Sequence, residues 1–213
     1  MRYAGVIFDL DGVLCSTDRF HFEAWKQTAR EVNAPFDERI NQRLRGVSRM
    51  ESLEIILGGS PLSLSEDEKL RLAEEKNERY RALLKNLTHS DLAPGAEETL
   101  AALRAAGVKL AVGSSSKNAV FILERLGARE LFDAVCDGTM LTRSKPDPEV
   151  FLKAAEMLGA SPRRCLVVED AAAGLEAARS GGMDCAIIGG ADMPFEPEYR
   201  IDGLGELRAI VLG

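Results

Sequence analysis

Val6-Ile7-Phe8-Asp9-Leu10-Asp11-Gly12-Val13-Leu14 is the stretch whose reading decides the fold. Three apolar residues run directly into two carboxylates spaced i, i+2, followed by a glycine. A continuous apolar run reads as a strand buried on both faces. Two acids at the end of such a strand are costly to place there without a compensating charge, which a bound cation would supply. Gly12 lets the chain turn away where the carboxylates emerge. Asp and Gly are also common turn residues, so by itself the stretch reads equally well as a strand and an acidic turn.

Outward from that stretch the chain has two textures. Residues 16–88 contain helical patterns and no convincing strand. Residues 18–33 form an amphipathic pattern with Phe22, Trp25, Ala29 and Val32 on one stripe, Asp18 as candidate N-cap and Pro35 as terminator. Shorter helical pieces cover 37–44 and 50–57, interrupted by Gly46 and stopped by Gly58-Gly59. Ser65-Glu66-Asp67-Glu68 is a capping box. It opens a long helix that carries Leu70, Ala73, Asn77, Tyr80, Leu84 and Leu87 on one side.

From residue 91 onward strands and helices alternate. Strand patterns lie at 109–113, 133–136, 165–168 and 185–188, with helices predicted over 96–106, 120–126, 148–158 and 171–180. Residues 203–212 read equally as a short helix or an edge strand. Such alternation means βαβ units and a parallel sheet. The expected architecture is α/β: a doubly wound parallel, Rossmann-like core over 1–15 and 92–213. An all-helical cap over 16–91 is inserted after the first strand, with hinges near Cys15–Thr17 and Leu87–Pro94.

Composition sets the class. Hydrophobic residues make up 46% and charged residues 29% of the 213, an ordinary globular balance. A net charge of -7 argues against a nucleic-acid binder, which would be basic. Cys15, Cys136, Cys165 and Cys185 have no Cys-x-x-Cys or zinc spacing, and Cys165 and Cys185, beside apolar strand-like runs, read as buried free thiols. No apolar run approaches the ~20 residues that span a bilayer, so no membrane partner is expected. Met1-Arg2-Tyr3 leads straight into the first strand, which predicts no signal peptide and a cytoplasmic location.

In open α/β sheets ligands bind outside the carboxyl ends of the strands. After the first strand come Asp9 and Asp11, and after the second Ser114, Ser116, Lys117 and Asn118. Ser144 and Lys145 follow the third, and Glu169 and Asp170 follow the fourth. Each group alone has an ordinary reading: a capping loop, a solvated lysine, acids at a helix start. Four at one sheet edge predict a site. Carboxylates, one lysine and hydroxyls are hard ligands that select Mg²⁺. A carboxylate beside that ion and a lysine can attack phosphorus, splitting one hard transfer into two easier ones.

Asp9-Leu10-Asp11-Gly12-Val13 with Ser114, Lys145 and Glu169-Asp170 resembles the haloacid dehalogenase (HAD) superfamily of phosphotransferases. That resemblance implies Asp9 as nucleophile and Asp11 as general acid/base. It implies one Mg²⁺ on Asp9, Asp11, Glu169 and Asp170, with Lys145 balancing charge and Ser114 on the transferring phosphate. The cap is similar to that of the superfamily's sugar-phosphate mutases. Thr17, His21-Phe22, Ala24-Trp25, the run Leu44-Arg45-Gly46-Val47-Ser48-Arg49 and Lys76-Asn77 carry the similarity, with Ser114 to Asn118 and Ser144-Lys145-Pro146 in the core. It implies β-D-glucose 1-phosphate as substrate and glucose 6-phosphate as product, through a bound β-glucose 1,6-bisphosphate. The implied substrate-binding set is Thr17, His21, Trp25, Arg45, Gly46, Val47, Ser48, Arg49, Lys76, Asn77, Ser115, Ser116, Lys117 and Asn118. The expected protein is a monomeric phosphoenzyme whose partners are sugar phosphates.

The residue types suit that task, because a mutase holds two phosphates at once. Arg49 after a glycine turn offers a forked donor set for the far one. Arg45, Ala171, Ser115 and Asp147 depart from the pattern, where Lys, Ser and smaller residues are usual. The alternatives are a sugar-phosphate phosphatase of similar fold and a non-catalytic sugar-phosphate sensor.

Overall fold

A computed structural model describes residues 2–44, 47–190 and 192–213. The chain divides into two compact units, Met1–Ser16 with Thr88–Gly213, and Thr17–Leu87. It opens on β1 (Gly5–Phe8). The helical unit follows with α1 (Asp18–Glu31), α2 (Glu38–Gln42), α3 (Arg49–Leu57) and α4 (Glu66–Leu84). The core resumes with α5 (Ala96–Ala105), β2 (Lys109–Gly113), α6 (Ala119–Arg125) and β3 (Ala134–Cys136). It continues with α7 (Glu149–Met157), β4 (Cys165–Glu169), α8 (Ala172–Ser180) and β5 (Asp184–Ile188), and ends with β6 (Tyr199–Ile201) and α9 (Leu207–Leu212).

The six strands form one parallel sheet in the order β3-β2-β1-β4-β5-β6. β1 is central and wholly buried because its four residues are apolar or glycine on both faces. Phe8 sits beside Val112 of β2 and Val168 of β4. The residues that follow these three therefore emerge side by side: Asp9, Gly113 and Glu169. On one face of the sheet Ile7, Val167 and Cys185 pack with Phe151 of α7 and Leu175 of α8. The helical unit has its own core of Trp25, Ala29, Leu53, Ile56 and Ala73.

Several local expectations are corrected. Thr17, not Asp18, occupies the N-cap position of α1, and Asp18 is the first helical residue, where its charge suits the helix dipole. Leu70 is 56% exposed. The inward face of α4 is instead Leu72, Ala73, Lys76, Asn77, Tyr80 and Leu84, so Leu72 and Lys76 join it in place of the expected Leu70. Residues 203–212 resolve into a 3₁₀ turn (Leu204–Glu206) and α9. The edge strand is β6, which the sequence reading passes over because three residues with a central arginine carry no apolar run.

The Ser65/Glu68 capping box is present, and Ser48/Glu51 forms a second one at the start of α3. All four cysteines are buried and free. Burial pushes the Cys136 and Cys165 thiols up to about 11, so neither is a reactive thiolate. Among the described residues no helix is long and apolar enough to cross a membrane.

Candidate active site

The Asp9 N–H continues the ladder by donating to the Val168 carbonyl at 2.9 Å, which holds its carboxylate at the strand end. Lys145 Nζ donates to Asp9 Oδ1 at 2.5 Å and to Glu169 Oε1 at 2.6 Å. Glu169 uses its other oxygen to accept the N–H groups of Asp170 (2.7 Å) and Ala171 (2.8 Å), just ahead of α8. Asp9, Lys145 and Glu169 are only 7%, 4% and 2% exposed, so these charges must satisfy one another. Burial pushes the Asp9 carboxyl well above its usual range; Lys145 opposes this, while Glu169 and Asp170 add to it. Burial works against the charged Lys145 amine too, but Asp9 and Glu169 overcome it and hold the amine above the ordinary lysine range.

Two glycines make room for this cluster. Gly12 has φ +89°, and a Cβ there would overlap the Asp170 carboxylate. The Asp170 carboxylate is therefore packed against the turn that carries Asp9 and Asp11. Gly174 lies inside α8, where a Cβ would overlap the Glu169 carboxylate. Gly174 was not foreseen as a site residue. Its signal in the sequence is a glycine inside a helix, a position that costs about 1 kcal/mol relative to alanine and so asks for a reason.

Ser114 is buried at the end of β2. Its Oγ accepts the Ser116 N–H at 3.1 Å, and Ser116 Oγ accepts the Asn118 N–H at 3.2 Å. Each serine thus shapes the loop with an oxygen lone pair and retains an O–H with which to donate. Ser115 Oγ is buried without a partner among the described residues. Asn118 is buried at the N-cap position of α6, while Lys117 is exposed.

Lys145 is preceded by a loop that Glu149 anchors. Glu149 Oε2 accepts from Thr142 N–H (3.0 Å), Thr142 Oγ1 (2.9 Å) and Arg143 N–H (2.7 Å). Lys153 Nζ donates to Glu149 Oε1 at 2.6 Å and to the Met140 carbonyl at 2.5 Å. The Lys153 ammonium and then the Arg143 N–H bring the Glu149 carboxyl down to about 2. Asp147, an unusual residue for this pattern, pairs with Arg143 at 2.9 Å. The Lys145–Pro146 peptide is cis.

The donor set fits a hard divalent cation. One lysine cannot neutralise Asp9, Glu169 and Asp170 together, and every carboxylate donor is oxygen. Among the described residues no three His, Cys, Asp or Glu side chains already converge as a metal cage. Mg²⁺ needs no preformed cage, because it keeps several waters and completes its shell with substrate phosphate oxygens.

In the helical unit, Thr17 Oγ1 and the Tyr80 hydroxyl are 2.9 Å apart, and both residues are buried. Lys76 is not a surface lysine. Its Nζ lies 2.9 Å from His21 Nδ1 and over the rings of Trp25 and Tyr80, at 4.4 and 4.7 Å from their centroids. Burial, then the charges of Lys76 and Arg49, hold His21 well below the usual histidine range, so its Nδ1 accepts from the ammonium. Ser48 caps α3, with Val47 ahead of it and Arg49 as the first helical residue. Arg49 Nη1 pairs with Glu74 Oε2 at 3.0 Å, and Asn77 Nδ2 donates to Glu74 Oε1 at 3.1 Å. Arg45 and Gly46 lie outside the described residues.

A doubly wound parallel sheet that delivers an aspartate, a lysine, a glutamate and a serine loop to its carboxyl edge defines the class as an α/β enzyme of hydrolase architecture. The chain belongs to the haloacid dehalogenase-like hydrolase family, whose sequence model matches residues 3–182. It is 46% identical over 186 residues to a β-phosphoglucomutase of Bacillus subtilis, covering 86% of this chain and 82% of that protein. A phosphorylated carbohydrates phosphatase of Thermotoga maritima is 35% identical over 182 residues, 84% of this chain and 82% of the relative. The crystal structure of a β-phosphoglucomutase from Clostridium difficile superposes with a TM-score of 0.93 at 37% identity, over 99% of this chain and 95% of that one.

Proposed function

We propose that this chain is a Mg²⁺-dependent phosphomutase that interconverts β-D-glucose 1-phosphate and β-D-glucose 6-phosphate through β-glucose 1,6-bisphosphate. The observation that carries the reading is the buried Lys145 ammonium on Asp9, in a chain 46% identical to a β-phosphoglucomutase. Asp9 attacks phosphorus, forming an acyl-phosphate bond while the sugar P–O bond breaks. Asp11 gives a proton to the departing sugar oxygen. In the other half of the cycle Asp11 takes a proton from the 6-hydroxyl of β-glucose 1-phosphate, whose oxygen attacks the aspartyl phosphate, freeing Asp9 and forming the 1,6-bisphosphate from which Asp9 then takes the 1-phosphoryl group to release glucose 6-phosphate. Lys145 offsets the charge of the attacking carboxylate, and Ser114 donates its O–H to the transferring group. Asp9, Asp11, Glu169 and Asp170 are the residues that would hold Mg²⁺, which when bound neutralises phosphoryl oxygen charge. Glu169 contributes through its charge and through its hold on Lys145.

The second phosphate falls to Arg49 with Arg45, Gly46, Val47, Ser48, Ser116, Lys117 and Asn118. Thr17, His21, Trp25, Lys76, Asn77 and Ser115 orient the sugar. The reading includes a cytoplasmic monomer acting on free sugar phosphates. A second reading, a sugar-phosphate phosphatase in which water discharges Asp9, draws support from the Thermotoga maritima relative. One experiment separates them. With β-glucose 1-phosphate, Mg²⁺ and a trace of the 1,6-bisphosphate, glucose 6-phosphate should accumulate with little free phosphate. Stoichiometric phosphate release without glucose 6-phosphate would overturn the mutase reading.

A further inference from the structure

Glu74 was assigned no role by the sequence, yet it joins two side chains of the proposed substrate-binding set. Its Oε2 accepts from Arg49 Nη1 at 3.0 Å and its Oε1 accepts from Asn77 Nδ2 at 3.1 Å. One planar oxyanion thus meets a guanidinium on α3 and an amide on α4, the donor types that recognise a phosphate. The burial is asymmetric. The Arg49 side chain is 23% exposed and Asn77 is buried, whereas the Glu74 side chain is 63% exposed. The donors are rooted in the unit, and the carboxylate reaches them from the solvent side. A second pair, Lys69 with Glu54 at 2.9 Å, already ties α4 to α3, so the Arg49 contact is not the sole ionic link between these helices.

We infer that Glu74 is an internal competitor, a carboxylate that occupies Arg49 and Asn77 until the sugar phosphate's far phosphate displaces it. The inference rests on the proposed assignment of Arg49 to that phosphate. Its consequence is a specificity threshold. A dianionic phosphate displaces a single exposed carboxylate, while a monoanionic or neutral sugar does not gain enough to do so.

The test is the KM for β-glucose 1-phosphate, measured at fixed bisphosphate for five proteins: wild type, Glu74→Gln, Glu74→Ala, Arg49→Ala and the Glu74→Gln/Arg49→Ala double variant. An exposed ion pair is weak, so removing the competitor should lower KM by only about threefold to fivefold. Arg49→Ala should raise KM, and Glu74→Gln should have no further effect once Arg49 is absent. Glu74→Ala should reproduce the gain, because it too removes the carboxylate. A KM that is unchanged or raised in Glu74→Gln, with Arg49→Ala still impaired, overturns the competitor role and makes Glu74 a support for Arg49. An unchanged KM in Arg49→Ala overturns the far-phosphate assignment and the competitor role with it. Thermal melts of the same proteins separate these outcomes from a packing role, which would lower Tm in Glu74→Gln without improving KM.

Discussion

Lys145 Nζ lies 2.5 Å from Asp9 Oδ1, across 136 residues of sequence, and both groups are buried. The same ammonium holds Glu169, so one cation stabilises two carboxylates that water cannot reach freely. Lys145→Met should therefore destabilise the core unit by about 3–5 kcal/mol, the usual result of stripping one partner from a buried ionic cluster. Urea denaturation measures this. A loss below that of an ordinary surface lysine would mean the cluster is not the ionic centre described. Asp9→Asn should retain the fold but form no acid-stable, base-labile phosphoenzyme with a labelled phosphoryl donor.

Gly174→Ala tests the space beneath Glu169. Alanine is the better helix former by about 1 kcal/mol, so propensity alone predicts stabilisation. The added Cβ would overlap the Glu169 carboxylate, which must swing away and release Lys145. The expected outcome is a lower Tm and a fall of about 10²-fold in turnover, the scale of a misplaced catalytic group. Unchanged kcat with a raised Tm would show that the carboxylate has room to move.

His21 gives the helical unit a pH dependence of definite sign. Its folded-state pKa is lowered, first by burial and then by Lys76 and Arg49, so the unfolded chain binds the proton more readily. The neutral ring's contribution is complete above the unfolded value of about 6.5 and is lost as pH falls below it, at up to about 1.4 kcal/mol per unit. Melts of wild type and His21→Asn between pH 5 and 8 should converge toward the acid side. Parallel curves would count against a buried neutral His21.

Glu149 acts through the loop ahead of Lys145. Its carboxyl, brought to about 2 chiefly by Lys153, should stay ionised through the working pH range, and its stabilising effect should fade only as pH falls from the ordinary glutamate range toward about 2. Glu149→Gln weakens the three contacts from Thr142 and Arg143. We expect kcat to fall about tenfold, with KM little changed, because the loop loosens around Lys145, whose proposed role is in the transition state and not in binding. Glu149→Asp should recover less than half of the loss, since the shorter arm cannot span both Thr142 and Lys153. Equal effects on kcat and KM would remove the link to Lys145.

Much of the framework was legible before folding. The runs Val6–Phe8 and Cys165–Val168 are short and apolar on both faces, as strands buried in a parallel sheet are. The Ser65/Glu68 cap was readable because capping is local chemistry across three residues. Leu70 and β6 escape local pattern for opposite reasons. Leu70 is apolar yet lies on the solvent face of α4, and β6 is a strand that pairs at the sheet edge without an apolar run. In both cases the surfaces that the fold covers, not the local pattern, set the outcome.

The sequence by itself determined that carboxylates, a lysine and serines follow successive strands, since Asp9, Ser114 and Glu169 stand directly after strand-like runs and Lys145 lies in the loop beyond Cys136. Only the tertiary structure decided which of them meet. The order β2-β1-β4 puts Asp9 between Ser114 and Glu169, and strand order is set by long-range pairing that no local spacing encodes. The same holds for Lys76. Its charged sequence neighbours Glu74, Glu75, Glu78 and Arg79 look like a solvated helix, but His21, Trp25 and Tyr80 close around its ammonium. Whether a charge is solvated or caged depends on which surfaces enclose it, and that is a property of the folded chain.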